Sequence, residues 1–174
     1  ISLVESASTL DEVVVVGYGG WTFWSGSQAD AAAQASDVYE EILTLALPTS
    51  PDEEITDADR EQISSLAAEL KENSATSIYA HYAALFAAQK AVEVNDLDSA
   101  ESELQWVVDN QPSGLLSSED EGLVLTASLR LGRVILAKGD ADRALVLVNS
   151  VDPKSFEAGF AELRGDIYVA LGRP

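Results

Sequence analysis

Cysteine is absent from all 174 residues, and histidine occurs once, at position 81. No disulfide framework, thiolate nucleophile or cysteine-held zinc can therefore exist, and the redox compartment stays open. Basic side chains are scarce as well: ten lysines and arginines face thirty acids, for a formal charge of −20. Those bases are scattered, so nucleic acid and anionic lipid headgroups are excluded as partners. The carboxylates are dispersed too, which reads as a solvated surface. No uninterrupted apolar run reaches the roughly 20 residues that a membrane-spanning helix needs. No basic segment precedes the four valines at 13–16, so a removable signal peptide is not visible. The chain opens on Ile1 and stops at Pro174 just past a helix end, as though cut from something longer.

What is present is enough apolar residue, 47%, for one domain with a proper core. From residue 27 onward the apolar spacing is helical. Residues 27–47 place Ala31, Ala35, Val38, Ile42 and Leu45 at steps of three and four, before Pro48 and Pro51 break the pattern. Thr56 with Asp59 forms a capping box for a second helix, which buries Ile63, Leu66, Ala67 and Leu70. Residues 75–94 alternate alanines with Tyr79, Tyr82, Leu85 and Phe86, a texture that lets neighbouring helices interdigitate closely. Asp96 is placed to cap the next helix, Ser118 with Glu121 the one after, and Asp140 the sixth. Gly139 and Gly172 supply left-handed stops, the latter ending a helix over 156–171. Seven helices with short turns, and no convincing strand outside the valine run, make the fold class all-α.

The chain also repeats. Laying Ala88 on Gly132 puts Ala91 on Ile135, Asn95-Asp96 on Gly139-Asp140, Ala100 on Ala144 and Leu104 on Val148. A third partial copy lies 33 residues on, with Gly165, Tyr168 and Gly172. These positions resemble the tetratricopeptide repeat, whose small residues sit where antiparallel helices cross. The resemblance implies helix hairpins stacked as a short solenoid. It predicts that Ala88, Gly132 and Gly165 lie at equivalent contacts.

The stretch "LDEVVVVGYGGWTFW", residues 10–24, admits three readings. Its first ten residues resemble a segment near the plug of TonB-dependent outer-membrane receptors, but nothing after Trp24 alternates as a barrel must. It could also be the exit end of a spanning helix, with Trp21, Phe23 and Trp24 at the membrane interface, although it offers only about 12 apolar residues. Third, it could be a hydrophobic tail packed on the domain. The continuation, "GGWTFWSGSQADAAAQASDVYEEIL", resembles the juxtamembrane region of the ancillary subunits of the SecYEG translocon. The likeness extends through "SATSIYAHYAALFAAQKAVEVNDLDSAESELQWVV" and "LRLGRVILAKGDADRALVLVNSV" to "AELRGDIYVALG". It implies a single-pass inner-membrane protein with its helical domain in the periplasm. The partners implied are the translocon and a membrane-anchored periplasmic chaperone of the prolyl-isomerase type. On this reading residues 1–26 are an apolar N-terminal segment, a truncated anchor, and 27–174 are the tetratricopeptide-like domain.

Chemistry is sparse by comparison. His81 lacks any nucleophile or orienting acid that the pattern can place beside it. "DLD" at 96–98 and "DAD" at 140–142 lack the glycine and terminal glutamate of a calcium loop and stand at helix starts. "GYGG" lacks the third glycine of a dinucleotide fingerprint. The expectation is a protein without cofactor, metal or catalytic residue, not an enzyme. Tyr79, Tyr82, Phe86, Arg130 and Arg133, the large side chains on the first helices of the repeats, are the partner-binding candidates. The alternative is a soluble scaffold that takes a peptide in its groove and never meets a membrane.

Overall fold

The computed structural model describes residues 32–47, 55–110 and 117–173, and among them every regular element is helical. Helix α1 covers 32–46; α2 is Asp57–Asn73, α3 Ile78–Glu93, α4 Leu97–Asp109, α5 Ser117–Ala137, α6 Ala141–Ser150 and α7 Glu157–Ala170. A 3-10 turn, Lys154–Phe156, leads into α7. No helix among the described residues is long and apolar enough to cross a membrane. Residues 1–26, including Trp21, Phe23 and Trp24, lie outside the described residues.

Caps fix the helix starts. At α2 the Thr56 hydroxyl accepts the Asp59 amide at 3.2 Å, while the Asp59 carboxylate accepts the Thr56 amide at 2.9 Å, which closes the capping box. Asp96 accepts the Ser99 amide and Asp140 the Arg143 amide, each at 3.1 Å. Two starts differ from the sequence reading. Helix α3 begins three residues later than its composition promises, because Ser77 closes a turn onto the Ser74 carbonyl at 2.8 Å and then caps the Tyr79 amide. Helix α5 already includes Ser118, the residue expected to precede it.

The repeat is written in the backbone. Asn95, Gly139 and Gly172 all adopt left-handed angles, with φ of 59°, 87° and 66°. In the first copy the Asn95 amide donates to Val92 and the Asp96 amide to Ala91; in the second, Gly139 donates to Leu136 and Asp140 to Ile135. The third copy repeats the pair, Gly172 to Val169 and Arg173 to Tyr168. Equivalent bonds at offsets of 44 and 33 residues mean that each first helix ends in the same Schellman-type turn. Asparagine tolerates the left-handed region better than most side chains, which is why it can stand where the later copies use glycine.

Packing follows the repeat only in part. Ala88 is buried, and at Gly132 a Cβ would lie 2.8 Å from Leu163 Cδ2 and 3.5 Å from a Val148 methyl, so α5, α6 and α7 meet there. Gly165 departs from the expectation: a Cβ would find nothing within 4 Å. No described helix crosses α7 at that point, so the third copy has a matching turn but no matching contact. Two apolar cores result. Ala35, Ile42, Ile63, Ala67 and Leu70 of α1 and α2 pack on Ala80, Ala83 and Ala87 of α3. The opposite face of α3, with Ala84, Leu85 and Ala88, joins α4 to α7 around Leu104, Leu131, Phe160 and Leu163. The alanines of α3 thus let helices approach it from both sides, with Trp106 touching both cores.

The second helices are strapped together by charge. Lys71 of α2 meets Glu103 of α4 at 2.6 Å, both side chains largely buried. Glu101 of α4 binds Lys138 at 2.6 Å, at the end of α5, and also the Arg143 guanidinium of α6.

Candidate functional site

Between α3 and α5 opens a hollow of about 500 Å³. Tyr82, Leu85 and Phe86 form one wall, Leu123 and Thr126 the other, and Phe156 from the 3-10 turn closes an end. A second hollow of about 380 Å³ continues along the same two helices, with Val92 on α3 and Arg133 and Val134 on α5. Gln89 and Arg130 line both, so the two form one groove with Arg130 near its middle.

The walls are built from equivalent positions of the repeat. Tyr82, Phe86 and Gln89 stand four and three residues apart on one face of α3, as do Thr126, Arg130 and Arg133 on α5. The 44-residue offset converts the first set into the second. One wall is therefore aromatic and the other cationic at the same register.

Electrostatically the groove differs from the rest of the chain. Among the described residues, seven of the ten basic side chains hold a carboxylate. Arg130 has no such partner among the described residues, and Arg133 has only an exposed one, Glu162 at 3.0 Å. The carboxylate beside them, Glu93, is engaged by Lys90 at 3.0 Å.

The structure thus gathers Tyr82, Phe86, Arg130 and Arg133 along one groove. Tyr79 goes elsewhere, packing its ring 5.5 Å from Tyr39 of α1. Tyr39 also lies 6.1 Å from Tyr82 and 6.3 Å from Phe86, so it backs the aromatic wall. Burial, with the neighbouring Tyr82 adding, pushes the Tyr39 phenol above its ordinary value, and it stays neutral. Gln89, Thr126 and Phe156 were missed by a search for large side chains on first helices. The 44-residue register gives Thr126 from Tyr82 and Gln89 from Arg133; only Phe156, outside any first helix, carried no such signal.

His81 has a structural post. It is fully buried, its Nδ1 lies 2.8 Å from the Ser77 carbonyl, its Nε2 hydrogen-bonds the Asn110 carbonyl, and its ring sits 5.1 Å from Trp106. A main-chain carbonyl thus lies against each ring nitrogen, and the neutral ring donates its one N–H to one of the two, tying the start of α3 to the end of α4. Asp96 and Asp140 are taken up as caps, and Asp98 by Lys138.

Comparison with known proteins agrees with this architecture. A tetratricopeptide repeat-like domain profile matches residues 7–174. A Haemophilus influenzae protein named ancillary SecYEG translocon subunit is 37% identical over 171 residues, covering 97% of this chain and 76% of that one. The chain belongs to that family. An Escherichia coli protein of the same name is 32% identical over 171 residues, covering 97% of this chain and 74% of its own length. One from Neisseria gonorrhoeae is 28% identical over 158 residues, covering 91% and 68%. No solved structure matches the chain.

Proposed function

We propose that this protein is a non-enzymatic accessory of the inner-membrane Sec translocon, held at the membrane through its N-terminal segment and displaying its helical domain in the periplasm. Its relatives' shared name supports the translocon association. The observation that carries the rest is the α3–α5 groove, an open aromatic and cationic channel. Such grooves between stacked hairpins suit an extended segment of another protein. In this reading the groove holds a partner or an emerging chain while it passes to a membrane-anchored periplasmic chaperone, and residues 1–26 and 27–174 act as tether and receptor.

Crosslinking in native membranes tests it, with a photoreactive residue placed at Thr126 in the groove of the full-length protein. Adducts with translocon subunits, with the chaperone or with translocating chains are the expected result. Fractionation away from membranes, with adducts only to unrelated soluble proteins, would overturn it in favour of a soluble scaffold.

A further inference from the structure

We infer that the groove selects extended peptide segments that carry an internal Asp or Glu between two bulky apolar residues. This rests on the groove being a peptide site, and it adds what the site reads.

The first argument is charge. In a chain of net −20 with three acids for every base, most cations are already neutralised. Arg130 stands without a carboxylate among the described residues, at the point shared by both hollows. Arg133, one turn further along α5, holds Glu162 only through an exposed pair, and such pairs are weak and exchange readily. Two guanidinium groups at adjacent turns are thus available to a carboxylate, which they bind bidentately at fixed geometry. The remaining acid on the lining, Glu93, is neutralised locally by Lys90, so it does not cancel them.

The second argument is position. Apolar lining continues on both sides of Arg130: Leu85, Phe86, Leu123 and Phe156 toward one end, Val92 and Val134 toward the other. A chain ending at Arg130 would fill one hollow and leave the other empty. A chain running through fills both, with its acid in the middle, which is why the recognised group is an internal side chain and not a C-terminus. Gln89, facing both hollows, is placed to hydrogen-bond the backbone of such a segment.

Fluorescence anisotropy on the full chain with three labelled, C-terminally amidated peptides tests the inference. The first has Phe and Leu flanking a central Glu at two-residue spacing, the second has Gln in place of Glu, and the third lacks both apolar residues. The Glu peptide is expected to bind roughly tenfold tighter than the Gln peptide, as suits one charge-assisted bidentate contact. R130Q, at an exposed position, keeps the circular dichroism spectrum and binds the two peptides equally. R133Q narrows the difference without removing it, and the third peptide binds weakly. Equal binding of the Glu and Gln peptides to the parent, or a preference that survives R130Q, overturns the inference; so does a Gln peptide remade with a free C-terminal carboxylate that binds as tightly as the amidated Glu peptide. Failure here with translocon adducts intact would leave the proposed function standing. The Glu preference with no translocon adducts would do the reverse.

Discussion

At Gly132 and Gly165 the same residue type, at the same register of the repeat, meets opposite surroundings. Gly132→Ala would drive a methyl into the Cδ2 of Leu163, fully buried where α5, α6 and α7 meet, so overpacking outweighs the gain in helix propensity. A net loss of about 1 kcal/mol is expected. Gly165→Ala meets open space and should raise stability by about 0.5–1 kcal/mol through helix propensity alone. Urea denaturation of both variants checks the pair, and equal signs would show that the contacts are misassigned. The contrast also marks how far the sequence could be read. Alignment found the small residues, because composition carries them, but whether a neighbour crosses there depends on a further helix that the motif cannot reveal. His81 teaches the same lesson: its neighbours in sequence said nothing of the Asn110 carbonyl, 29 positions away, that takes its second nitrogen.

Among elements, the join between α4 and the α5–α6 turn rests on Glu101. Its hydrogen bond to the Lys138 ammonium, with Arg143 adding, holds the carboxyl below the ordinary carboxylate range. A depressed carboxyl stabilises the fold above its unfolded value of about 4.3 and loses that contribution as pH falls through the lower, folded value. Asp59 and Asp96 are depressed likewise, by the hydroxyls and amides of Thr56 and Ser99, so their caps weaken over the same acid range. E101Q should therefore melt lower than the parent at pH 7, with the two Tm values converging toward pH 3. A gap that stays constant with pH would mean that the glutamate acts through packing instead. Caps and turns were legible at this scale because their chemistry is local: Thr56, Asp96, Gly139 and Asp140 each do what their type and position indicate. The inter-helix pairs Glu101–Lys138 and Lys71–Glu103 were not, since 37 and 32 residues separate the partners.

For the whole molecule, the net charge of −20 sets the balance between internal ion pairs and self-repulsion. Most pairs are exposed and of small worth, whereas the repulsion sums over every uncompensated acid. Raising sodium chloride from about 20 to 300 mM shortens the screening length from roughly 20 to 6 Å, and Tm is expected to rise by a few degrees. A fall would mean that the pairs outweigh the repulsion. The all-α stack was legible from periodicity and the 44-residue offset, and part of the groove, Tyr82, Phe86, Arg130 and Arg133, was legible as large side chains on first helices. Its outline was not, because Phe156 reaches it from outside the repeat.

The straps at Glu101 and Glu103 lie on the second helices, and no ion pair joins α3 to α5 among the described residues. Such a spine is bridged by charge along its back and unbridged along its belly. Small changes in curvature would open or pinch the channel without breaking a single bridge, so bulkier and slimmer guests could be gripped in turn by bending rather than by melting.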